Sequence, residues 1–489
     1  LEEAGRGHAA ARAFERAADL AEASSDELDR VVFLRRRSAE QFLQSGKWNE
    51  APRALDMVLP RLGIRLPKSR AEAILRILTC RARTATKSIV LPPGAPLASP
   101  EAIDRATLLF TLNNVYSFTD FVTGMVFSSE LLVDALRSGS AELLSMGLAL
   151  ETSAWAPVPG AFGRRQCDRL LSAYEEVAPR GTVFDIGGVH STRAIVFWYR
   201  GRFTEALRSF EQAWDALSVA RRDMSFLVAI QHCFRFPSLA HLGRLRQIST
   251  TLEPLLQDAE ARGDDFLLST VPLGHQCLAW LASGRIDLVT HWRKRVAELL
   301  PGGFSVSHQM CLLADVLSAL YCGAPEEARE HLERAWPLLK GGFYLSMRYF
   351  REDLLQLRGR VALAEAAKSP ARRPRLLREV TRLARAIETD EAPYAEAHAQ
   401  LLRAGVARLS GRRRDAVRAL ELALAGFERS GLSLYAEASR LALGQLEGDA
   451  GASRRASACA WMKAEGAVDP CRLAAVMASG CIEPVGSNE

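Results

Sequence analysis

The residues of this sequence that could do chemistry stand apart from one another. Histidine and cysteine come closest in His275-Gln276-Cys277, His308-Gln309-Met310-Cys311 and His232-Cys233. A metal site needs three or four ligands at suitable spacing, and each of the first two segments offers only two. For His232 and Cys233 to act as base and thiol nucleophile their side chains must meet, yet neighbours on a helix point apart, so a packed cysteine is expected. Asp185-Ile186-Gly187-Gly188 is the nearest approach to a protein-kinase metal-binding turn. No His-Arg-Asp catalytic loop and no Asp-Phe-Gly accompanies it, and it is expected to cap a helix. Neither a Gly-x-x-x-x-Gly-Lys-Ser/Thr phosphate cradle nor a Gly-x-Gly-x-x-Gly turn occurs. The basic run Arg372, Arg373, Arg375, Arg378, Arg382 and Arg385 invites phosphate contact. However, Arg378, Arg382 and Arg385 share a face opposite the apolar one and no aromatic platform is interleaved, the pattern of a solvated helix. No residue is therefore assigned a catalytic, cofactor-binding or metal-ligating role.

What must be positioned, then, is a surface, and the composition says it is carried by helices. The 489 residues are 48% hydrophobic and 25% charged, with only 7% aromatic, the balance of a globular chain. Ala, Leu and Arg predominate and lose little on entering a helix. The net charge of +6 comes almost wholly from arginine, against seven lysines. Nine cysteines form no Cys-x-x-Cys pair, and the odd number does not suit a disulfide framework; a reducing cytoplasm is expected. Glu2, Glu3, Arg6 and Arg12 interrupt any apolar leader. The best apolar stretch, from Leu143 to Phe162, carries Glu151, Pro157, Pro159 and Gly160, so no membrane span is expected. The chain opens at Leu1 inside a helical pattern and is expected to belong to a longer polypeptide.

The organisation is a repeat anchored on glycine. From Gly201, small or apolar residues fall five, nine and twelve positions on, at Ala206, Phe210 and Ala213, which places them on one helix face. Gly5 leads in the same way to Ala10, Phe14 and Ala17, and Gly46 to Ala51, Leu55 and Val58. Gly243 leads to Ile248, Leu252 and Leu255, Gly323 to Ala328, Leu332 and Ala335, and Gly411 to Ala416, Leu420 and Ala423. Gly284 keeps Val289 and Val296 but has Arg293 in the middle. Successive anchors stand 41, 42, 41 and 39 residues apart, and the step of 88 from Gly323 to Gly411 predicts a further anchor near 367, followed by Leu376, Val380 and Leu383. Gly201, Phe203, Ala206, Phe210 and Ala213 resemble the tetratricopeptide repeat, with a period near 41 in place of the usual ~34. The expected fold is all-α, a tetratricopeptide-like solenoid of helix hairpins with a C-terminal helical cap.

The pattern divides the chain into N-terminal helical repeats (1–88), a proline-rich loop (89–100), degenerate repeats (101–200), regular repeats (201–450) and a cap with its tail (451–489). Ser99-Pro100-Glu101 is a helix start, and the break from Ala156 to Phe162 separates two further helices. Gly139 is followed by Leu144 and Leu148, with Glu151 breaking the third position. Phe110, Tyr116, Phe118, Phe121 and Phe127 are expected in the core or along the concave face.

The ending Trp461-Met462, Gly466, Asp469-Pro470, Arg472 resembles the extreme C-terminus of large bacterial, myxobacterial-type serine/threonine protein kinases. Arg36-Arg-Ser-Ala-Glu-Gln-Phe-Leu-Gln-Ser-Gly-Lys47 and Val58-Leu-Pro-Arg-Leu-Gly-Ile-Arg-Leu-Pro67 resemble the same proteins. These carry a kinase domain, a central signal-transduction ATPase and a helical-repeat tail. The resemblance covers the tail alone. It implies a non-catalytic sensor and interaction region that binds a protein, a peptide or a small-molecule inducer and modulates attached upstream ATPase and kinase domains. ATP and Mg belong to those domains, and neither nucleic acid nor membrane is an expected partner. The alternative is the effector-binding region of a maltose-activator-type transcription regulator.

Overall fold

A computed structural model of the chain describes residues 6–24, 28–47, 50–85, 87, 89, 91, 94–180, 183–218, 225–300, 302–389 and 392–482. Twenty-four α-helices and no strand occur among them. The N-terminal part holds α1 (Gly7–Ala23), α2 (Leu28–Gln44), α3 (Ala51–Arg61) and α4 (Arg70–Ala85). Next come α5 (Pro100–Thr119), α6 (Phe121–Ser138), α7 (Ala141–Trp155) and α8 (Gly160–Val177). Regular hairpins follow: α9 (Val183–Tyr199) with α10 (Phe203–Ser218), and α11 (Ser225–His241) with α12 (Leu245–Arg262). In the third, the first arm is split into α13 (Asp265–Thr270) and α14 (Cys277–Ala282), which return through α15 (Ile286–Leu299). Then come α16 (Val306–Tyr321) with α17 (Pro325–Gly341), α18 (Arg348–Lys368) with α19 (Arg373–Glu388), and α20 (Ala395–Leu409) with α21 (Arg413–Ser430). The end is α22 (Ser433–Leu446), α23 (Ala452–Ala464) and α24 (Pro470–Met477). The all-α hairpin solenoid expected from the glycine period is the fold observed.

The anchors work as the spacing requires. Gly46, Gly201, Gly243, Gly284, Gly323 and Gly411 all sit at φ between 70° and 79°. At Gly201 the glycine N–H donates to the Trp198 carbonyl and the next N–H, of Arg202, donates to Phe197, both at 2.9 Å. This two-bond closure needs a left-handed residue, which glycine adopts without a Cβ penalty. Gly5 lies outside the described residues. Near 367 the turn is present but no glycine makes it: α18 runs to Lys368, and Ser369 leaves it at φ −118°. There the Arg373 guanidinium donates to the Ala366 and Ala367 carbonyls, so a side chain satisfies the helix end.

Two apparent breaks in the pattern are paired charges, one buried and one half-exposed. Glu151 occupies the third core position after Gly139, 2% exposed. It accepts from Arg81 Nε at 2.7 Å and from the Ser128 and Ser129 hydroxyls at 2.7 and 3.0 Å. Arg293, the odd residue of the Gly284 unit, reaches Asp315 of α16 at 3.0 Å. Ser99 caps α5 as expected, accepting from the Ala102 N–H.

The solenoid also folds back on itself. Lys47, beside the Gly46 anchor, pairs with Asp265, 218 residues away, and Glu465 accepts from the Arg246 N–H across 219 residues. A Cβ on Gly46 would stand 2.5 Å from the Phe266 nitrogen, one on Gly201 2.5 Å from the Tyr394 ring, and one on Gly243 2.9 Å from the Leu434 nitrogen. Each of these turns is therefore pressed against a helix start about five units further on. Val468 N–H to Ala282 O at 2.9 Å and Arg348 to Tyr199 O at 2.8 Å extend the same seam. The first helices of the hairpins consequently lose their solvent face. Of the 16 residues of α16, 12 are buried, and of the 21 of α18, 14 are, whereas four residues each of outer α17 and α19 are.

Gly201→Ala and Gly411→Ala separate the two duties of an anchor, because a Cβ on Gly411 meets nothing within 4 Å. Both variants force alanine to a positive φ, a cost of about 1 kcal/mol; Gly201→Ala adds the clash with Tyr394 and is expected to lose at least twice as much stability in urea unfolding. Equal losses would mean that the turns do not press together.

Candidate functional site: the axis of the superhelix

Burying most of α18 brings polar residues into the interior. Glu352, Asp353, Gln356 and Arg360 are each at most 4% exposed, and three histidines from other hairpins meet this helix. His275 Nε2 lies 3.0 Å from Asp353 Oδ1, His398 Nδ1 contacts Glu352 Oε1, and His241 Nε2 lies 2.8 Å from the Tyr349 hydroxyl. Arg360 donates to the Val476 carbonyl of α24 at 3.0 Å, which ties the C-terminal cap to the axis. Burial pushes the Asp353 carboxyl up, but His275, His241 and Arg360 outweigh it and hold its pKa below the ordinary value. His241 moves the other way. Burial first, then the neighbouring charges of His275, His398 and Arg360, push it well below the usual histidine range against the pull of Asp353. This seam is a structural network in which charges that cost several kcal/mol each to desolvate are matched by partners.

Beside it, along α5, α9 and α11, the axis is not filled. A first chamber lies among Phe110 and Asn114 of α5, Met146 and Ala149 of α7, and Ser191 and Gln231 of α9 and α11. One helical turn further along the same helices, a second chamber lies among Phe118, Phe121, Trp198, Phe234, Met310 and Phe350. The cavity volume is about 90 Å³ in the first and about 70 Å³ in the second, and both continue into space open to solvent; this is below the ~300–1,000 Å³ of drug-sized ligand sites. Gly187 and Gly188 let Tyr174 and Leu217, which line the first chamber, pack close against α9. A Cβ on Gly188 would lie 2.4 Å from the Tyr174 hydroxyl, and one on Gly187 2.5 Å from Leu217.

The residues singled out for chemistry are held in separate places. His308 accepts from the Ser305 N–H at 3.2 Å in a capping box of α16, while Cys311 is buried and its thiol pushed up to about 12 by burial. His275 is spent on Asp353, and burial pushes the Cys277 thiol far up. His232 stacks on Phe236 at 5.4 Å with its pKa pushed down by burial to about 4, and Cys233 donates to the Ala229 carbonyl with its own pushed up to about 12. Asp185 does not cap α9 but sits in its first turn, because α9 begins two residues earlier and its backbone carbonyl is engaged by Tyr174. Arg378, Arg382 and Arg385 are exposed, while Arg372 pairs with Glu365. Of the aromatic segment, Phe127 is fully buried and packs on Tyr116 at 5.6 Å, while Phe110, Phe118 and Phe121 line the chambers. Among the described residues no three His, Cys, Asp or Glu side chains converge as a metal site would require, and no helix is long and apolar enough to cross a membrane.

The axial seam escapes sequence reading. Glu352, Gln356 and Arg360 recur every fourth residue, the signature of a solvated helix face, and only the closure of the superhelix turns that face inward. Compared with known proteins, the chain matches no family model, and no curated protein is significantly similar to it.

The displaced histidine has a measurable consequence. Below its ordinary value near 6.5, the unfolded chain takes up a proton that buried His241 refuses, so stability falls as pH falls from about 7 towards 5. Asp353, shifted down, loses its contribution only below about pH 4. His241→Gln is expected to make the fall in thermal midpoint between pH 7 and 5 shallower; an unchanged slope would show that His241 is protonated in the folded chain.

Proposed function

We propose that this chain is the non-catalytic sensor region of a multidomain bacterial serine/threonine protein kinase, acting in the cytoplasm on attached ATPase and kinase domains that bind ATP and Mg. The observation that carries the sensor reading is the pair of small chambers beside the buried inner helices. An open solenoid takes a peptide or a partner helix in its groove, but here the inner helices are buried against one another. What space remains suits a small-molecule inducer. The residues that resemble the kinase tails support the reading, because they hold the superhelix together. Met462 is buried, Asp469 caps α24, Arg472 donates to the Tyr321 carbonyl at 2.6 Å, and Lys47 joins Asp265 across the turns. A ligand seated between α5, α9 and α11 would favour the closed superhelix over a loosened one. Its leverage on the attached domains equals its difference in affinity for the two states.

The test is thermal denaturation of the chain with small, neutral, apolar compounds. A ligand at a hundred times its Kd is expected to add about 2.7 kcal/mol of stability. Filling the first chamber by Ala149→Phe or the second by Val306→Phe should abolish the shift for the ligand that uses it. Stabilisation that survives both substitutions, or ATP hydrolysis by the chain itself, would contradict the proposal.

A further inference from the structure

We propose that the cleft between α4 and the connection 342–347 takes a single-chain amphiphile with an anionic head, of the long-chain carboxylate class. The site is distinct from the axial chambers and does not depend on them, although Phe121 and Met347 line both it and the second chamber. One part of the cleft is an apolar cavity of about 300 Å³ among Ile74 and Leu78 of α4, Val122 and Met125 of α6, Val158 and Phe343. Ser346 is the one polar side chain in these walls. This volume reaches the ~300–1,000 Å³ of small-molecule sites, which the axial chambers do not. On α4 itself, Ala73 and Ile77 are buried with Val122 and Val126 of α6. Ile74, Leu75 and Leu78 are instead 39%, 65% and 61% exposed. Exposed apolar side chains gathered beside a cavity mark a binding surface rather than a scattered remainder.

Charge places the head. A second cavity, of about 600 Å³, shares the walls Phe121 and Val122 and is also lined by Lys68 and Arg70, both exposed. The Arg70 guanidinium lies 4.0 Å from the centroid of the Phe343 ring and donates to the Gly341 carbonyl, so it stands where the two cavities meet. Among the described residues neither Lys68 nor Arg70 has a carboxylate partner. The carboxylates beside them are engaged elsewhere: Asp120 accepts from the Thr123 hydroxyl at 2.7 Å, and Glu72 from the Lys68 backbone N–H at 2.9 Å. Two open cations at the end of an apolar cavity favour an anion, and their exposure lets a carboxylate keep much of its water while the chain leaves it. Phe343 adds a second mark. It is the sole non-glycine among the described residues with a positive φ, 65°, although Gly341 and Gly342 stand just before it. That conformation is strained for so large a side chain, and it sets the ring against Arg70 and in the wall of the apolar cavity.

Isothermal titration of the full chain tests this with three probes below their micelle concentrations: decanoate, decylammonium (the same chain, opposite charge) and hexanoate (the same head, shorter chain). Decanoate is expected to bind about fivefold more tightly than decylammonium and at least about tenfold more tightly than hexanoate. Replacing both cations, Lys68→Met with Arg70→Met, should bring decanoate and decylammonium to equal affinity, and their continued binding shows that the variant remains folded. Leu78→Asp, at an exposed wall position, should weaken decanoate about tenfold while the thermal midpoint stays in place. Decylammonium binding as tightly as decanoate, decanoate binding no tighter than hexanoate, a preference for decanoate that survives loss of both cations, or decanoate binding untouched by Leu78→Asp would each overturn the inference. None of these results bears on the axial chambers.

Discussion

Everything in this molecule depends on the close approach of one superhelical turn to the next. In a solenoid whose repeats touch only their neighbours, the inner helices keep a solvent face and stability is a sum of local terms. Here Gly46, Gly201 and Gly243 lie so near Phe266, Tyr394 and Leu434 that a methyl group would collide. The same glycines that allow a left-handed turn therefore also allow contact between segments some two hundred residues apart. That contact removes water from most of α18, and the charges it buries must pair within the protein.

The pairing explains the axial composition. Glu352, Asp353 and Arg360 are matched by His398, His275 and the cap carbonyl of Val476, each drawn from a different hairpin. Such a network favours one register of the turns, since a slip would leave buried charge uncompensated. The aromatic cluster of Trp198, Phe234, Tyr349 and Phe350 continues the axis on the apolar side. The chambers lie where this packing stops.

The hairpins were legible because their signals are local. Glycine at the end of one amphipathic stretch and a small residue five positions on encode a turn and a close helix pair within a dozen residues. Local reasoning erred where a side chain outside the apolar pattern supplies the partner. Glu151 and Arg293 looked like faults in an apolar face and proved to be charges answered by Arg81 and Asp315, the first buried and the second half-exposed. Ser369 stands where a glycine was expected, because Arg373 caps the helix end instead. Phe110, Phe118 and Phe121 were marked as core or concave lining, but which of the aromatics faces a cavity depends on α9, α11 and α18. The polar face of α18 could not be told from an exposed one, since the helices that cover it come from hairpins up to 108 residues away.

Solution scattering tests the closure most directly. Turns in contact place the chain near the compact limit for its length, a radius of gyration of about 23 Å, and the account predicts a value within a few ångströms of that. A value above about 30 Å would mean an open superhelix with α18 facing water, and would contradict the account.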